Sequence, residues 1–283
     1  MVEATDTIFQ YYLVKMDSIS EYLTEKYLDS NSIEDTKHYQ TVIIQKIVGM
    51  FHTIVMLTKE TQDEVSARCI LRAILDSVTT YCFIYQRTDK EDMLFRHYLY
   101  ALDGWKNYED CAIGISEEND DKQKRLNLCN NIIKKLEDKL KHHSYYLQDS
   151  SKVGKLIIKR NWKYKSFHNI SELSYAKMYN EVKFDASLSN YYQGYLSQFA
   201  HGLCLSNKPC PTQDYMKIVL YESIPIADRF VSAITYIFHD EKMKEHFLCS
   251  TKCKEFLNSK NLNYDDLNGL AKAYLHNDKT ILI

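Results

Sequence analysis

The chain has 283 residues, 45% hydrophobic and 26% charged, with a formal net charge of −2. That balance supports a real core and excludes a global basic field able to hold nucleic acid by phosphate neutralisation alone. Only 3 Pro and 7 Gly occur, and since these residues turn chains and break helices, their scarcity argues for long helices and against a many-stranded β fold.

The opening residues, Met1 to Asp6, have no basic start and no apolar core behind them, so no secretory leader is expected. Most of the 8 Cys fall inside apolar helical runs. They read as reduced core thiols of a cytoplasmic protein rather than the disulfide framework of a short secreted chain.

Ile8, Tyr12, Met16, Ile19 and Leu23 recur at spacings of three and four, which predicts an amphipathic first helix. The next helix, at residues 35–59, is apolar almost all round between Thr41 and Leu57, with Lys46 its one charge. Such a helix is buried or membrane-spanning. Gln45, Lys46 and His52 lie near its centre, where a bilayer would penalise them, so a buried core helix and no membrane partner are expected. A third helix at residues 66–86 is apolar apart from Arg68, Arg72 and Asp76 and a Ser/Thr cluster. A fourth, at residues 90–111, presents Met93, Leu94, Tyr98, Leu102, Trp105 and Tyr108 inward. A fifth, at residues 118–147, carries a narrow stripe of Cys129, Ile133, Leu136 and Leu140 among dense charge, as an outer helix should.

Residues 150–169 lack periodicity, and Asn169 with Glu172 resembles a helix N-cap with its capping box. Residues 186–207 contain no Lys, Arg, Asp or Glu, so both faces of this helix are expected to be covered by protein. Pro209 and Pro211 end it. A helix at residues 213–239 follows, with Pro225 inside it, and then two or three short helices broken near residues 258–263. The expected architecture is an all-α multi-helix bundle. Its buried central helices lie at residues 40–58, 66–86 and 186–206, with an outer helical hairpin at 89–147. Residues 1–239 form the main bundle and 240–283 a short C-terminal helical appendage.

His201 sits in the charge-free helix with Ser197 on the same face. A histidine there is either a core residue with both ring nitrogens satisfied or a general acid or base near neutral pH. Arg68, Arg72 and Asp76 follow at i, i+4 and i+8, so neighbours touch. They form either a register-fixing ion pair or a cationic wall that meets phosphate. Lys159, Arg160, Trp162, Lys163 and Lys165 interleave cations with an aromatic ring, a pattern that suits a nucleic-acid strand and also suits a solvated loop with buried anchors. His246, Cys249 and Cys253 share one helix face, but no CxxC pair or second ligand cluster accompanies them, so a plain core face and no metal or other cofactor are expected. His201, His239-Asp240 and Asp265 or Asp266 follow the order of helical metal phosphohydrolases only superficially. No GxxxxGK[ST], GxGxxG, GxSxG or HExxH motif occurs.

Arg72-Ala-Ile-Leu-Asp76 resembles an R-x-x-x-E/D pattern on an early helix, and Tyr192 through Ser197 to His201-Gly202 resembles a Y…S-x-x-x-H-G pattern. On these motifs residues 41–238 resemble the uncharacterised bacterial helical family known as domain of unknown function 5677, with Asp76 where Glu is expected. That family is similar to the HEPN domains, many of which are metal-free ribonucleases of bacterial toxin and phage-defence systems. Their signature Arg, followed by His four to six residues later, is missing: none of Arg68, Arg72, Arg87, Arg96, Arg125, Arg160 and Arg229 has it. Two functions follow as expectations. One is an interaction or sensor component of a defence system, with a protein partner or a second copy of the chain. The other is an RNA-directed endoribonuclease using His201 with Arg68 or Arg72.

Overall fold

The stripe read from the first helix is buried throughout α1 (Val2–Tyr27), and Phe9 and Tyr11 are buried beside it. This helix is therefore covered on more than one side. Packed on it are α2 (Thr36–Met56), α10 (Gln213–Phe238), α11 (Glu241–Cys249), α12 (Thr251–Lys260) and α13 (Tyr264–Asn277). The computed structural model describes residues 2–29, 34–114, 120–184, 186–201 and 213–277. They form two compact units, Met1–Cys82 with Val182–Ile283, and Phe83–Glu181. The protein is an all-α bundle, as its Gly and Pro scarcity predicts.

In the first unit α2 begins where Asp35 accepts hydrogen bonds from the backbone N–H of Lys37 (2.9 Å) and His38 (3.2 Å). Such a cap supplies partners that the first turn lacks. Ile44, Ile47, Phe51 and Ile54 are fully buried, each contributing about 1.5–3 kcal/mol. The expectation that α2 is buried on every side needs correcting. Val42 and Met56 are 43% and 44% exposed, and Lys46 and Gly49 between them are exposed too. α2 closes in a π-helical turn, Leu57–Thr61, after which Gln62 takes a left-handed conformation (φ 52°).

Next come α3 (Glu64–Tyr85) and, after the second unit, α9 (Ala186–Ala200). Tyr81 of α3 meets the edge of Phe230 of α10 at 5.7 Å. Helix α10 continues through Pro225. The three C-terminal helices are capped by Asp240, Ser250 and Asn263, each accepting from a backbone N–H two or three residues on. They pack within the first unit: Phe247 meets Tyr11 at 6.2 Å, Lys252 pairs with Glu21, and Thr5 shares a 3.2 Å hydrogen bond with Tyr274.

In the second unit α4 (Lys90–Ile113) packs along α5 (Asp120–Lys141). The α5 stripe of Cys129, Ile133, Leu136 and Leu140 is buried as expected. The α4 face differs. Phe95 to Leu99 are five consecutive buried residues, whereas Tyr108 is 42% exposed, because this part of α4 is enclosed on several sides. Residues 150–169, which show no clear periodicity in the sequence, hold α7 (Ser150–Lys159) after the short α6 (Ser144–Gln148), and then strand β1 (Tyr164–Ser166). Asn169 and Glu172 do not cap a helix. They bound strand β2 (Asn169–Glu172), antiparallel to β1. Helix α8 (Tyr175–Glu181) starts after Ser174, whose hydroxyl accepts from Lys177 N–H at 3.4 Å. Two very short strands give no period for sequence reading to detect.

Arg96 ties that hairpin to α4. Its guanidinium donates to the carbonyls of Trp162 (3.2 Å), Tyr164 (2.7 Å) and Lys165 (3.4 Å), and its Nε to Asp92 (2.8 Å). It lies 3.7 Å from the Tyr164 ring centroid and 4.6 Å from that of Phe83. The Tyr164 hydroxyl donates to Asp92 (2.6 Å).

Buried His143 packs on Phe95, its ring Nδ1 accepts from Tyr145 N–H (3.2 Å), and its Nε2 lies 3.5 Å from Glu91. Burial pushes its pKa below the ordinary histidine value of 6.5, against the raising pull of Glu91, Asp89 and Asp92. As pH falls the unfolded chain takes up the proton first, so this contribution to stability is whole above about pH 6.5 and is lost below it. The urea midpoint of the second unit should drop between pH 7.5 and 5.5. His143→Gln should flatten that drop, and an unchanged slope in the variant would refute the assignment.

Candidate functional site

The helices α3, α9 and α10 meet around Arg68, whose side chain is 0% exposed. Its Nε donates to Glu64 of α3 at 2.8 Å, and its Nη1 donates to the wholly buried Glu222 of α10. The guanidinium lies 4.8 Å from the Tyr195 ring centroid and 5.0 Å from that of Phe199, both on α9. Burial works against the charge, but Glu222, Glu64 and Tyr195 outweigh it and hold the Arg68 pKa above the ordinary value. Tyr192 of α9 donates to the Glu222 carbonyl at 2.9 Å. Among the described residues Arg68 Nη2 is buried and has no hydrogen-bond partner. Its ring contacts on α9 are the cation–π kind, which strengthens when the cation is desolvated.

One turn along α3, Arg72 and Asp76 form an i, i+4 pair at 3.4 Å, their side chains 15% and 29% exposed. On α9, Ser197 is half-buried and accepts from His201 N–H through its backbone carbonyl at 3.1 Å. The ring of His201 is exposed, as are Gly194 and Ala200. The expectation that both faces of this helix are covered is thus corrected. Uncharged polar and small residues are hydrated without cost, so missing charge does not imply burial. The predicted continuation through residue 206 and the stop at Pro209 and Pro211 lie outside the described residues, as does Gly202. Of the five predicted residues, Arg68 makes the α3–α9 contact, Arg72 and Asp76 pair with each other, and Ser197 and His201 stand one turn apart.

The basic-aromatic set belongs to the second unit. Lys159 and Lys165 are exposed. Arg160 Nη1 donates to Asn107 at 3.0 Å and lies 3.5 Å from Asp110, and Lys163 pairs with Glu172 at 2.7 Å. Trp162 is 5% exposed, donates to Asp103 at 3.2 Å and meets the edge of Tyr100 at 5.2 Å. It is a buried anchor, and its ring faces are not open for a base to stack on. Two of the four cations in this set already face acids.

Among the described residues no three His, Cys, Asp or Glu side chains gather as a metal site. Cys253 is buried and Cys249 exposed, while His246 packs on Tyr22 at 5.4 Å. Asp240 accepts from Lys26 (2.6 Å) and Tyr22 (2.7 Å) and caps α11.

Sequence reasoning missed Glu64 and Glu222. Glu64 was legible as the acid four residues before Arg68. Glu222 was legible only as a lone acid between Leu220 and Ile224, with nothing to say what it meets. Comparison with protein-family models, curated proteins and solved structures finds no match for this chain.

Proposed function

We propose that this chain is a helical interaction component that binds a second copy of itself through the outer face of α2. The carrying observation is the stripe Val42, Lys46, Gly49, Thr53 and Met56, spaced as one helix face and exposed or half-exposed, with a single charge. Residues 36–61 are long and apolar enough by length and composition to cross a membrane, yet only 39% of the apolar window is buried. The opposite face of α2 is already taken, with Ile44, Ile47 and Phe51 buried, and one edge of the stripe is tied to α1, where His52 pairs with Asp17 at 2.7 Å and Gln45 donates to Thr24 at 2.8 Å.

The stripe complements itself. Val42 and Met56 each lie seven residues from Gly49, and a Cβ at Gly49 would meet nothing within 4 Å. Two antiparallel copies of α2 crossing at Gly49 set Val42 of one copy against Met56 of the other, the reciprocal arrangement of a two-fold interface. The two Lys46 side chains then stay apart. Arg68 supports the same reading: enclosed between Glu64 and Glu222, it is withheld from any phosphate. The resemblance of the Arg72–Asp76 and Ser197–His201 motifs to a bacterial helical family accords with a role in a defence system.

Light scattering after gel filtration should give a dimer mass for the wild type at micromolar concentration. Met56→Lys should weaken the dimer at least about 10-fold, equal to about 1.4 kcal/mol, with an unchanged circular dichroism spectrum. A monomer at every concentration, or a dimer indifferent to Met56→Lys, would remove this reading. A second reading, RNA cleavage through His201, draws on the exposure of that ring. Cleaved RNA in cells expressing the wild type, intact with His201→Ala, would replace interaction with catalysis.

A further inference from the structure

A cleft of about 430 Å³ opens in the first unit between α1, the end of α10, α11 and the start of α13. Its size falls in the range of small-molecule sites, roughly 300–1,000 Å³. Buried Ile19, Met243 and Phe247 give it an apolar wall, and Tyr264 lines it beside them. Half-buried Lys15 lines the same cleft.

Among the described residues the Lys15 amine makes one hydrogen bond, donated to the hydroxyl of buried Tyr11 at 3.4 Å, and no ion pair. The acids around it are engaged elsewhere. Asp228 of α10 accepts from Tyr12 at 2.7 Å, and Asp240 accepts from Lys26 at 2.6 Å and from Tyr22 at 2.7 Å. Burial lowers the Lys15 pKa against the raising pull of Asp228, and the ammonium groups of Lys244 on α11 and Lys272 on α13 lower it further. An amine so placed gives up its proton more readily than a surface lysine, and the neutral amine is the nucleophile. Burial, with Tyr264 adding to it, pushes the Tyr11 pKa up, so this hydroxyl stays protonated beside the amine.

We propose that Lys15 forms an imine with a small apolar aldehyde held in this cleft. The neutral Nζ attacks the carbonyl carbon, a C–N bond forms, and one N–H proton passes to the carbonyl oxygen. The C–O bond of the resulting carbinolamine then breaks, and its hydroxyl leaves with the second N–H proton as water. The step is redox-neutral and needs no co-reactant. Tyr11, within hydrogen-bond reach of Nζ, donates to the departing oxygen. The body of the aldehyde is apolar because Ile19, Met243 and Phe247 line the cleft.

The test incubates the full chain at neutral pH with hexanal and cyanoborohydride, which reduces an imine to a stable amine, and locates the modified lysines by peptide mass spectrometry. Lys15 should be modified at least about 10-fold faster than exposed Lys134 of α5, because a lowered pKa leaves more of the amine neutral. Its rate should saturate with hexanal and level off at a lower pH than the rate at Lys134. Acetaldehyde, without the apolar chain, should show a smaller preference for Lys15. Tyr11→Phe should slow modification at Lys15 and leave that at Lys134 unchanged. The proposal is overturned if Lys15 is modified no faster than Lys134, or if its preference is the same for both aldehydes.

Discussion

Replacing Arg68 by Ala should cost the first unit about 3–5 kcal/mol, because removing one partner of a buried ion pair leaves the other charged and desolvated. Glu222 is the stranded group: its side chain is wholly buried, and its carboxylate accepts from Arg68. Glu64, 12% exposed, can still turn to water. Exchanging both buried partners, Arg68→Met with Glu222→Leu, should recover most of the loss, since a well-packed apolar pair often equals or exceeds a buried ionic one. Urea unfolding of the two single variants and the double variant measures the coupling. A single-variant loss below about 1 kcal/mol, the scale of an exposed pair, would show that Arg68 is not enclosed as described. Because the double variant tests the fold without the charges, it also separates the structural role of the cluster from any role in binding.

In the second unit Arg96→Ala should have an effect of similar size, about 3–5 kcal/mol, for a different reason. Three backbone carbonyls, at Trp162, Tyr164 and Lys165, lose a charged donor together. Orphaned buried acceptors cost about 1–3 kcal/mol each where water cannot reach them. Arg96→Lys should rescue little, because a lysine has neither the planar fork nor the reach of several separate donors. Tyr164→Phe, which removes the hydroxyl that donates to Asp92, should cost about 1 kcal/mol. Hydrogen exchange supplies the local readout. Amides of residues 164–172 should lose protection in Arg96→Ala while those of α5 keep theirs. Uniform loss across the unit would mean that Arg96 holds more than the hairpin.

The two arginines show where sequence reading reached its limit. Both carry an acid four residues earlier on the same helix, Glu64 for Arg68 and Asp92 for Arg96, and that half of each cluster follows from helical spacing. The other half is remote. Glu222 is 154 residues from Arg68, and the carbonyls held by Arg96 are 66 to 69 residues away. Backbone carbonyls leave no mark in a sequence, so the role of Arg96 had no signal beyond its place in an apolar stretch. The candidate residues near His201 were read from a helix without charge, and burial was inferred from that. The inference held for Tyr192, Leu196 and Phe199 and failed for Gly194, Ala200 and His201, because polar neutrality leaves a face free to meet either protein or water. The sensor role and the defence setting came from motif resemblance and not from geometry, whereas the RNA alternative also drew on the charge-free helix that carries His201 and on the basic-aromatic set.

By itself the sequence determined the all-α class, the positions of most helices and the buried stripes of α1 and α5. Each of these depends on hydrogen bonds and side-chain contacts between residues three or four apart, so the information is local. Tertiary structure alone decided that α2 keeps an open apolar strip, that the C-terminal helices close onto α1, and that Trp162 points inward. It also decided which remote carboxylate neutralises Arg68. These outcomes turn on which surfaces exclude water once distant segments meet, and no local period encodes that choice.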